Sequence, residues 1–300
     1  MVMIPQRIGV VGAGMMGSEI ALVFALAGQE VRLSDTNEER LNTAMGNLAK
    51  LLEKGATRGL WPAEEVAPTL ARIRPTLDLA DHADREMVIE AVFEDETIKA
   101  DVFRRLEQVC AADCMLASNT SSISITVLSG YVAPMRRQYF LGTHFFSPVS
   151  RMKLVEIIPG LDTAPQTVEA AMAACRAAGK TPIQVKDVVG FAVNRLLHGF
   201  LIEAMRLVEE GVASLADIDT ACKLGLGHPI GPFEMMDIVS NSLVLQVQEV
   251  MAAAYGDRFH PSMLLKKMVK TGYDGKKVGR GWHRWAGEES DGVDPPAGRG

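Results

Sequence analysis

A histidine and a glutamate twelve positions apart carry the strongest chemical signal in this chain. His144 stands in Leu141-Gly142-Thr143-His144-Phe145-Phe146-Ser147-Pro148, and Glu156 in Leu154-Val155-Glu156-Ile157-Ile158. Both segments read as apolar strands. A carboxylate inside such a strand is costly unless it is paired. If the two strands run antiparallel around a turn centred near Ser150, positions 144 and 156 face each other. Glu156 then accepts from one imidazole nitrogen and leaves the other as a base, which fixes the tautomer and strengthens the base. A histidine in an apolar strand is more often a satisfied core residue, so a structural His–Glu pair stays open beside the catalytic one.

A second group could hold phosphate. Arg7-Ile8-Gly9-Val10-Val11-Gly12-Ala13-Gly14-Met15-Met16-Gly17 reads as strand, glycine turn and helix start. Gly12 permits the tight turn, Gly14 lets the backbone approach a pyrophosphate, and Gly17 lets helix and strand pack closely. The helix start at Met15 and Met16 offers free N–H groups and a positive dipole end. A second strand, 31–34, leads to Asp35, 18 residues after Gly17, where an acid binds a ribose 2′-hydroxyl. That acid repels a 2′-phosphate, so NAD is expected over NADP.

Two further polar segments sit where an α/β site belongs. Ala117-Ser118-Asn119-Thr120-Ser121-Ser122 follows a strand at its carboxyl end, where open α/β sheets bind ligands. Its spacing fits an ordinary helix cap equally well. Asn194 is the polar residue of an apolar helix-like segment, 190–197. The other histidines show no ligand spacing, and no metal is expected.

The elements that must position these groups alternate along the first half. Runs 8–11, 31–33, 87–92, 115–117 and 139–146 read as strands, with 154–158 and 183–185 available to close the sheet. Segments 15–27, 38–54 and 98–110 have helical spacing. This predicts βαβ units and a doubly wound, mostly parallel sheet of Rossmann type. The stretch 38–71 is longer than one crossover helix and predicts a helical excursion broken near 59–62. After about residue 186 the strand runs stop, and 190–211, 214–223, 231–254 and 261–269 have helical spacing. The expected division is an NAD-binding domain over 1–186 and an all-helical domain over 187–285. A frayed tail is expected over 286–300, which holds four Gly, two Pro and four acidic residues.

Composition narrows the function classes. With 300 residues, 48% hydrophobic and 23% charged, the chain reads as an ordinary soluble protein of about two domains. A net charge of −6 argues against nucleic acid as the main partner. No apolar run approaches the ~18 residues of a membrane span, and residues 1–7 lack a signal-peptide layout. The four scattered cysteines predict reduced thiols and a cytoplasmic protein.

Several motifs in the right order closely resemble the L-3-hydroxyacyl-CoA dehydrogenase family over nearly the whole chain, to about Trp285. They are 12–17, Glu90-Ala91-Val92-Phe93-Glu94, 118–122, 142–148 continuing through Met152-Lys153-Leu154-Val155-Glu156, 190–197, and 224–234. The resemblance implies NAD-dependent, reversible oxidation of an L-3-hydroxyacyl-CoA. It implies His144 as catalytic base, Glu156 as its orienting acid, and Ser121 and Asn194 as contacts of the reacting oxygen and thioester. Asp35, Glu94, Lys99, Ser121 and Lys277 would contact NAD. Lys54, Lys99 and, more weakly, Asn47 would contact CoA. A homodimer through the helical domain is implied, and Leu196, Leu197, Phe200, Leu201 and Met205 form its long apolar faces. The chain departs from the family pattern with Ser147 in place of a cofactor-contacting Asn, and with Gly281-Trp282-His283 in place of an aromatic GFY. The stretch 129–137 is slightly longer than usual. Dehydrogenases of free hydroxy acids and non-catalytic, NAD-binding crystallin-like proteins share the fold. The former match less well at 144–146, and the full set Ser121, His144, Glu156 and Asn194 argues against the latter.

Overall fold

The computed structural model describes residues 4–285 and 291–292. The chain divides into two compact units, the first ending at Phe191 and the second starting at Ala192.

The first unit runs β1 (Arg7–Val11), α1 (Met15–Leu26), β2 (Glu30–Ser34), α2 (Glu38–Thr57), α3 (Val66–Arg72), β3 (Ile73–Thr76), β4 (Met87–Glu90), α4 (Glu96–Val109), β5 (Met115–Ser118), α5 (Ile125–Ser129), β6 (Phe140–Phe145), β7 (Leu154–Pro159), α6 (Pro165–Ala177) and β8 (Thr181–Gln184). The eight strands form one sheet in the order β3-β2-β1-β4-β5-β6-β7-β8. Every neighbouring pair is parallel except β6 and β7, which are antiparallel. Strands β4, β5 and β6 are buried along their whole length. That is why they read as unbroken apolar runs: helices cover both faces of a parallel sheet. One core layer joins α1, α2 and α6 to the sheet, and the other joins α4 and α5.

The excursion resolves into α2, a short 3-10 turn and α3. Leu41, Ala44, Leu48, Leu52 and Gly55 recur at helical spacing and form the buried face of α2. The Trp61 indole donates to the Leu52 carbonyl (2.8 Å) and packs where a side chain at Gly55 would sit, which pins the turn. The division at Phe191 falls five residues beyond the expected end at 186. Asp187 holds the intervening segment to the first unit, accepting from Ser124 Oγ (2.8 Å), Ile125 N (3.0 Å) and Thr126 N (2.8 Å) at the start of α5.

The second unit holds α7 (Val193–Glu209), α8 (Leu215–Gly225), α9 (Pro232–Val239), α10 (Asn241–Tyr255) and α11 (Met263–Lys270), then the short strands β9 (His283–Arg284) and β10 (Asp291–Gly292). The unit is helical as expected, apart from that short pairing of β9 with β10. The expected frayed tail lies outside the described residues apart from β10. The continuous helical stretch 231–254 is corrected. It breaks at Ser240, whose φ of 113° no helix accommodates. Asp274 holds the break through Ser240 Oγ (3.1 Å) and Ser242 N (2.6 Å). Trp282, the departure from the family pattern, is buried against Phe233, and its indole donates to Asn241 Oδ1 (2.8 Å). All four cysteines are buried free thiols. Among the described residues no helix is long and apolar enough to cross a membrane.

Candidate active site

The antiparallel register of β6 and β7 places His144 opposite Glu156. The Glu156 carboxylate lies 2.8 Å from His144 Nδ1, and both groups are buried. An ionised carboxylate only accepts, so Nδ1 carries a proton. Nε2 then keeps its lone pair, and it lies 3.0 Å from the hydroxyl of Ser121 on the exposed turn after β5. Phe146 packs edge-on against the imidazole at 4.6 Å and Phe191 lies 5.5 Å away, leaving the ring little freedom.

The Ser121 turn is held from two directions. Asn119 Oδ1 accepts from Phe145 N (2.9 Å), tying the turn to the strand of His144. Glu94 Oε1 accepts from Thr120 Oγ1 (2.5 Å), Ser121 N, Ser122 N and Ser122 Oγ (2.9 Å each). Burial pushes the Glu94 carboxyl up. The Lys99 charge and these donors outweigh it, so its pKa falls below the ordinary carboxylate range. Lys99, expected as a contact of NAD and CoA, is 1% exposed, and its ammonium lies between Glu90 (2.7 Å) and Glu94 (3.2 Å) as their counter-ion.

At the phosphate loop the glycines have structural causes. Gly12 has φ +104°, and a Cβ there would meet the Ala91 carbonyl at 2.7 Å. A Cβ at Gly17 would lie 1.8 Å from the Gly12 carbonyl oxygen, so the helix start can rest on the loop only with glycine. Above Gly14, by contrast, a Cβ would meet nothing within 4 Å. The N–H groups of Met15, Met16 and Gly17 precede the first intrahelical bond, from Ser18 N to Gly14 O (3.0 Å). An open face lined with unpaired donors fits a pyrophosphate. Asp35 Oδ2 accepts from Ala13 N (2.9 Å), so the same carboxylate shapes the loop and stands at the end of β2. A cleft of about 740 Å³ opens beside the loop, between the start of α1 and α2.

The remaining expected residues are more dispersed. Asn47, on α2, lines that cleft. Lys54 is exposed in the last turn of α2. The Ser147 hydroxyl lies 3.7 Å from Met15 Sδ, next to the phosphate loop. Asn194 is half-buried in the first turn of α7, and Lys277 is exposed on a 3-10 turn; both belong to the second unit. Sequence reasoning assigns no role to Asn119, Glu90 or Ser118, although all three stand inside motifs that it singles out. Their signal is a polar side chain at the end of a buried strand.

A Rossmann-type sheet with this loop and an acid after β2 defines an NAD-dependent oxidoreductase. Residues 7–188 match the family model of the 3-hydroxyacyl-CoA dehydrogenase NAD binding domain, and residues 190–285 that of the 3-hydroxyacyl-CoA dehydrogenase C-terminal domain. The chain is 41% identical over 285 residues to a probable 3-hydroxybutyryl-CoA dehydrogenase of Deinococcus radiodurans, covering 93% of this chain and 100% of that one. It is 38% identical over 289 residues to the mitochondrial hydroxyacyl-coenzyme A dehydrogenase of Sus scrofa, covering 93% and 91%. Its fold matches the crystal structure of (S)-3-hydroxybutyryl-CoA dehydrogenase PaaH1 from Ralstonia eutropha with TM-score 0.90 at 36% identity, over 94% of this chain and 99% of that one. The chain belongs to the 3-hydroxyacyl-CoA dehydrogenase family, NAD-dependent oxidoreductases of hydroxyacyl-CoA.

Proposed function

We propose that the enzyme oxidises the 3-hydroxyl of a short L-3-hydroxyacyl-CoA, with 3-hydroxybutyryl-CoA as the reference substrate, and that His144 is the base. The observation that carries this is the chain Ser121–His144–Glu156, in which Nε2 is the lone-pair nitrogen and meets an exposed hydroxyl. NAD, when bound, accepts the hydride from C3 of the substrate. His144 Nε2 takes the hydroxyl proton, and Glu156 stabilises the resulting imidazolium through Nδ1. In the reverse direction the imidazolium returns the proton to the forming alkoxide. The Ser121 hydroxyl orients the reacting oxygen against Nε2.

For the cofactor, the loop 12–17 with Met15 and Met16 would hold the pyrophosphate, Asp35 would hold a ribose hydroxyl, and Glu94 and Ser147 would be further NAD contacts. Lys54 and Asn47 hold CoA from α2. The family resemblance alone carries Asn194 as a thioester contact and Lys277 as a cofactor contact. Names of the relatives favour the four-carbon substrate. The test is NAD reduction with L-3-hydroxyacyl-CoA esters from butyryl to palmitoyl length, beside the free acids. Activity with the free acid equal to that with the thioester overturns the proposal.

The proposed assembly is a cytoplasmic homodimer through the second unit. Within that unit Leu201 and Met205 are buried, whereas Leu196 is 77% exposed and Leu224, Leu226 and Val212 are also exposed. A second copy is the proposed cover for that apolar surface. Light scattering that gives the 32.5 kDa monomer at micromolar concentration overturns it.

A further inference from the structure

Beneath the Ser121 turn, Glu90 and Lys99 form a buried ion pair that the chemistry above does not use, and the exposed Glu94 closes over it. Glu90 ends β4 with none of its surface exposed. Two carboxylates, Glu90 and Glu94, share the one ammonium of Lys99. Burying such groups costs several kcal/mol per ion unless each is well paired, so the cluster needs a function or a geometry that repays it. The geometry is specific. Glu90 Oε1 accepts from Lys99 Nζ (2.7 Å) and Val92 N (2.7 Å), and Oε2 accepts from Ser118 Oγ (2.6 Å).

From Glu90 two separate routes reach Ser121. One passes through Lys99 to Glu94, whose carboxylate gathers the donors of Thr120, Ser121 and Ser122. The other passes through Ser118 Oγ, which accepts from Thr120 N (3.2 Å), while the Glu90 backbone carbonyl accepts from Asn119 N (2.8 Å). Both routes end on the turn whose Ser121 hydroxyl meets the base. We propose that Glu90 and Lys99 are positioning residues for the reaction, holding the 118–122 turn so that Ser121 Oγ stays within hydrogen-bond reach of His144 Nε2. The proposal rests on the role given above to Ser121 and His144. Burial raises the Glu90 carboxyl, and the Lys99 ammonium and the Ser118 hydroxyl oppose that rise.

A structural cluster and a positioning cluster differ in what they do to kcat. Glu90→Gln keeps the volume and one acceptor but withdraws the charge that orders Lys99. In folded, NAD-binding protein its kcat should fall by about tenfold to a hundredfold, the scale of a misplaced reacting group. Ser118→Ala cuts only the second route and should lower kcat by about threefold, the scale of one hydrogen bond. In a Ser121→Ala background each substitution should cost less than about twofold more, because both act through Ser121. Full kcat in folded Glu90→Gln, beside an inactive His144→Gln, overturns the positioning role alone. So do losses that simply add to that of Ser121→Ala. If Glu90→Gln does not fold, Ser118→Ala decides by the same two criteria. An active His144→Gln overturns the reading of the site itself, and the positioning role falls with it.

Discussion

Two buried histidine–carboxylate pairs in this chain have the same length. His144 Nδ1 lies 2.8 Å from Glu156 in the first unit, and His283 Nε2 lies 2.8 Å from Asp219 in the second. Their surroundings differ. The first pair is continued by the hydroxyl of Ser121 on an exposed turn. The second is enclosed by backbone. Asp219 also accepts from Phe233 N (2.9 Å), a Cβ at Gly231 would strike its carboxylate, and His283 N donates to Asp237 (2.8 Å). Asp237 collects Asn241 Nδ2, Trp282 N and Trp285 Nε1 as well, so this network closes residues 282–285 onto α9. A short His–carboxylate contact is therefore not itself a mark of catalysis. What the other side of the ring meets decides it.

The strongest way to break that contrast is to remove each histidine in turn. His144→Gln should lower kcat by about 10²–10⁴-fold, the usual scale of general-base catalysis, with NAD affinity nearly unchanged. Glu156→Gln should also lower kcat, and the double variant should be little worse than His144→Gln, because Glu156 acts only through the ring. His283→Gln should leave kcat per folded molecule intact and lower the melting temperature. Equal kinetic losses at 144 and 283 remove the distinction, and more than about a tenth of the parent rate in His144→Gln removes the base.

Buried histidines without a carboxylate sharpen the contrast from another side. Burial, with the charges of Arg85 and Arg32, lowers His82 to about 4, and burial alone lowers His198 to about 4. Both are neutral in the folded state, while the unfolded chain protonates near 6.5. Their contribution is complete above about pH 6.5 and is lost as pH falls towards 4. Linkage puts this at about 3 kcal/mol for each. Urea midpoints measured at neutral and acid pH should show that fall, and His198→Leu should flatten part of it. An unchanged slope in His198→Leu contradicts the assignment.

Smaller effects are expected where one charge is withdrawn. Asp219→Asn should destabilise the protein by about 1–3 kcal/mol in urea unfolding with kcat unaffected, since buried donors lose an ionised acceptor. Asp35→Ala should erode the preference for NAD over NADP by about 1–3 kcal/mol, read as the ratio of kcat/KM values. Equal efficiency with both cofactors in the parent protein contradicts the role of Asp35.

Much of this was legible in the sequence because it repeats a period. The apolar runs of β1, β4, β5 and β6 are what doubly covered strands must be, and the facing of positions 144 and 156 follows from the two-residue pleat. What the sequence hides lacks such a period. β3 has a single buried residue, Ile73, and contains Pro75; it pairs on one side only, at the sheet edge, where proline is tolerated. The break at Ser240 depends on Asp274, far along the chain, and no local residue announces it. Lys99 stands in an ordinary first turn, and only the fold shows that two carboxylates close over it. Asp187 likewise becomes a cap only once β8 has carried it to α5.

The reversed strand pair β6–β7 has an evolutionary consequence. A parallel neighbour would need a crossover of about a dozen residues or more before it could supply the partner of His144. The hairpin supplies it from the same short block of sequence, so His144 and its carboxylate partner are inherited together. Insertions in the connecting turn, 146–153, lengthen a loop at a cost that grows slowly with length. A one-residue frameshift of β7 against β6 is different in kind, since it turns Glu156 to the other face of the sheet and strands the imidazole. Related chains should therefore vary in the length of this turn far more readily than in the pairing of the two strands that flank it.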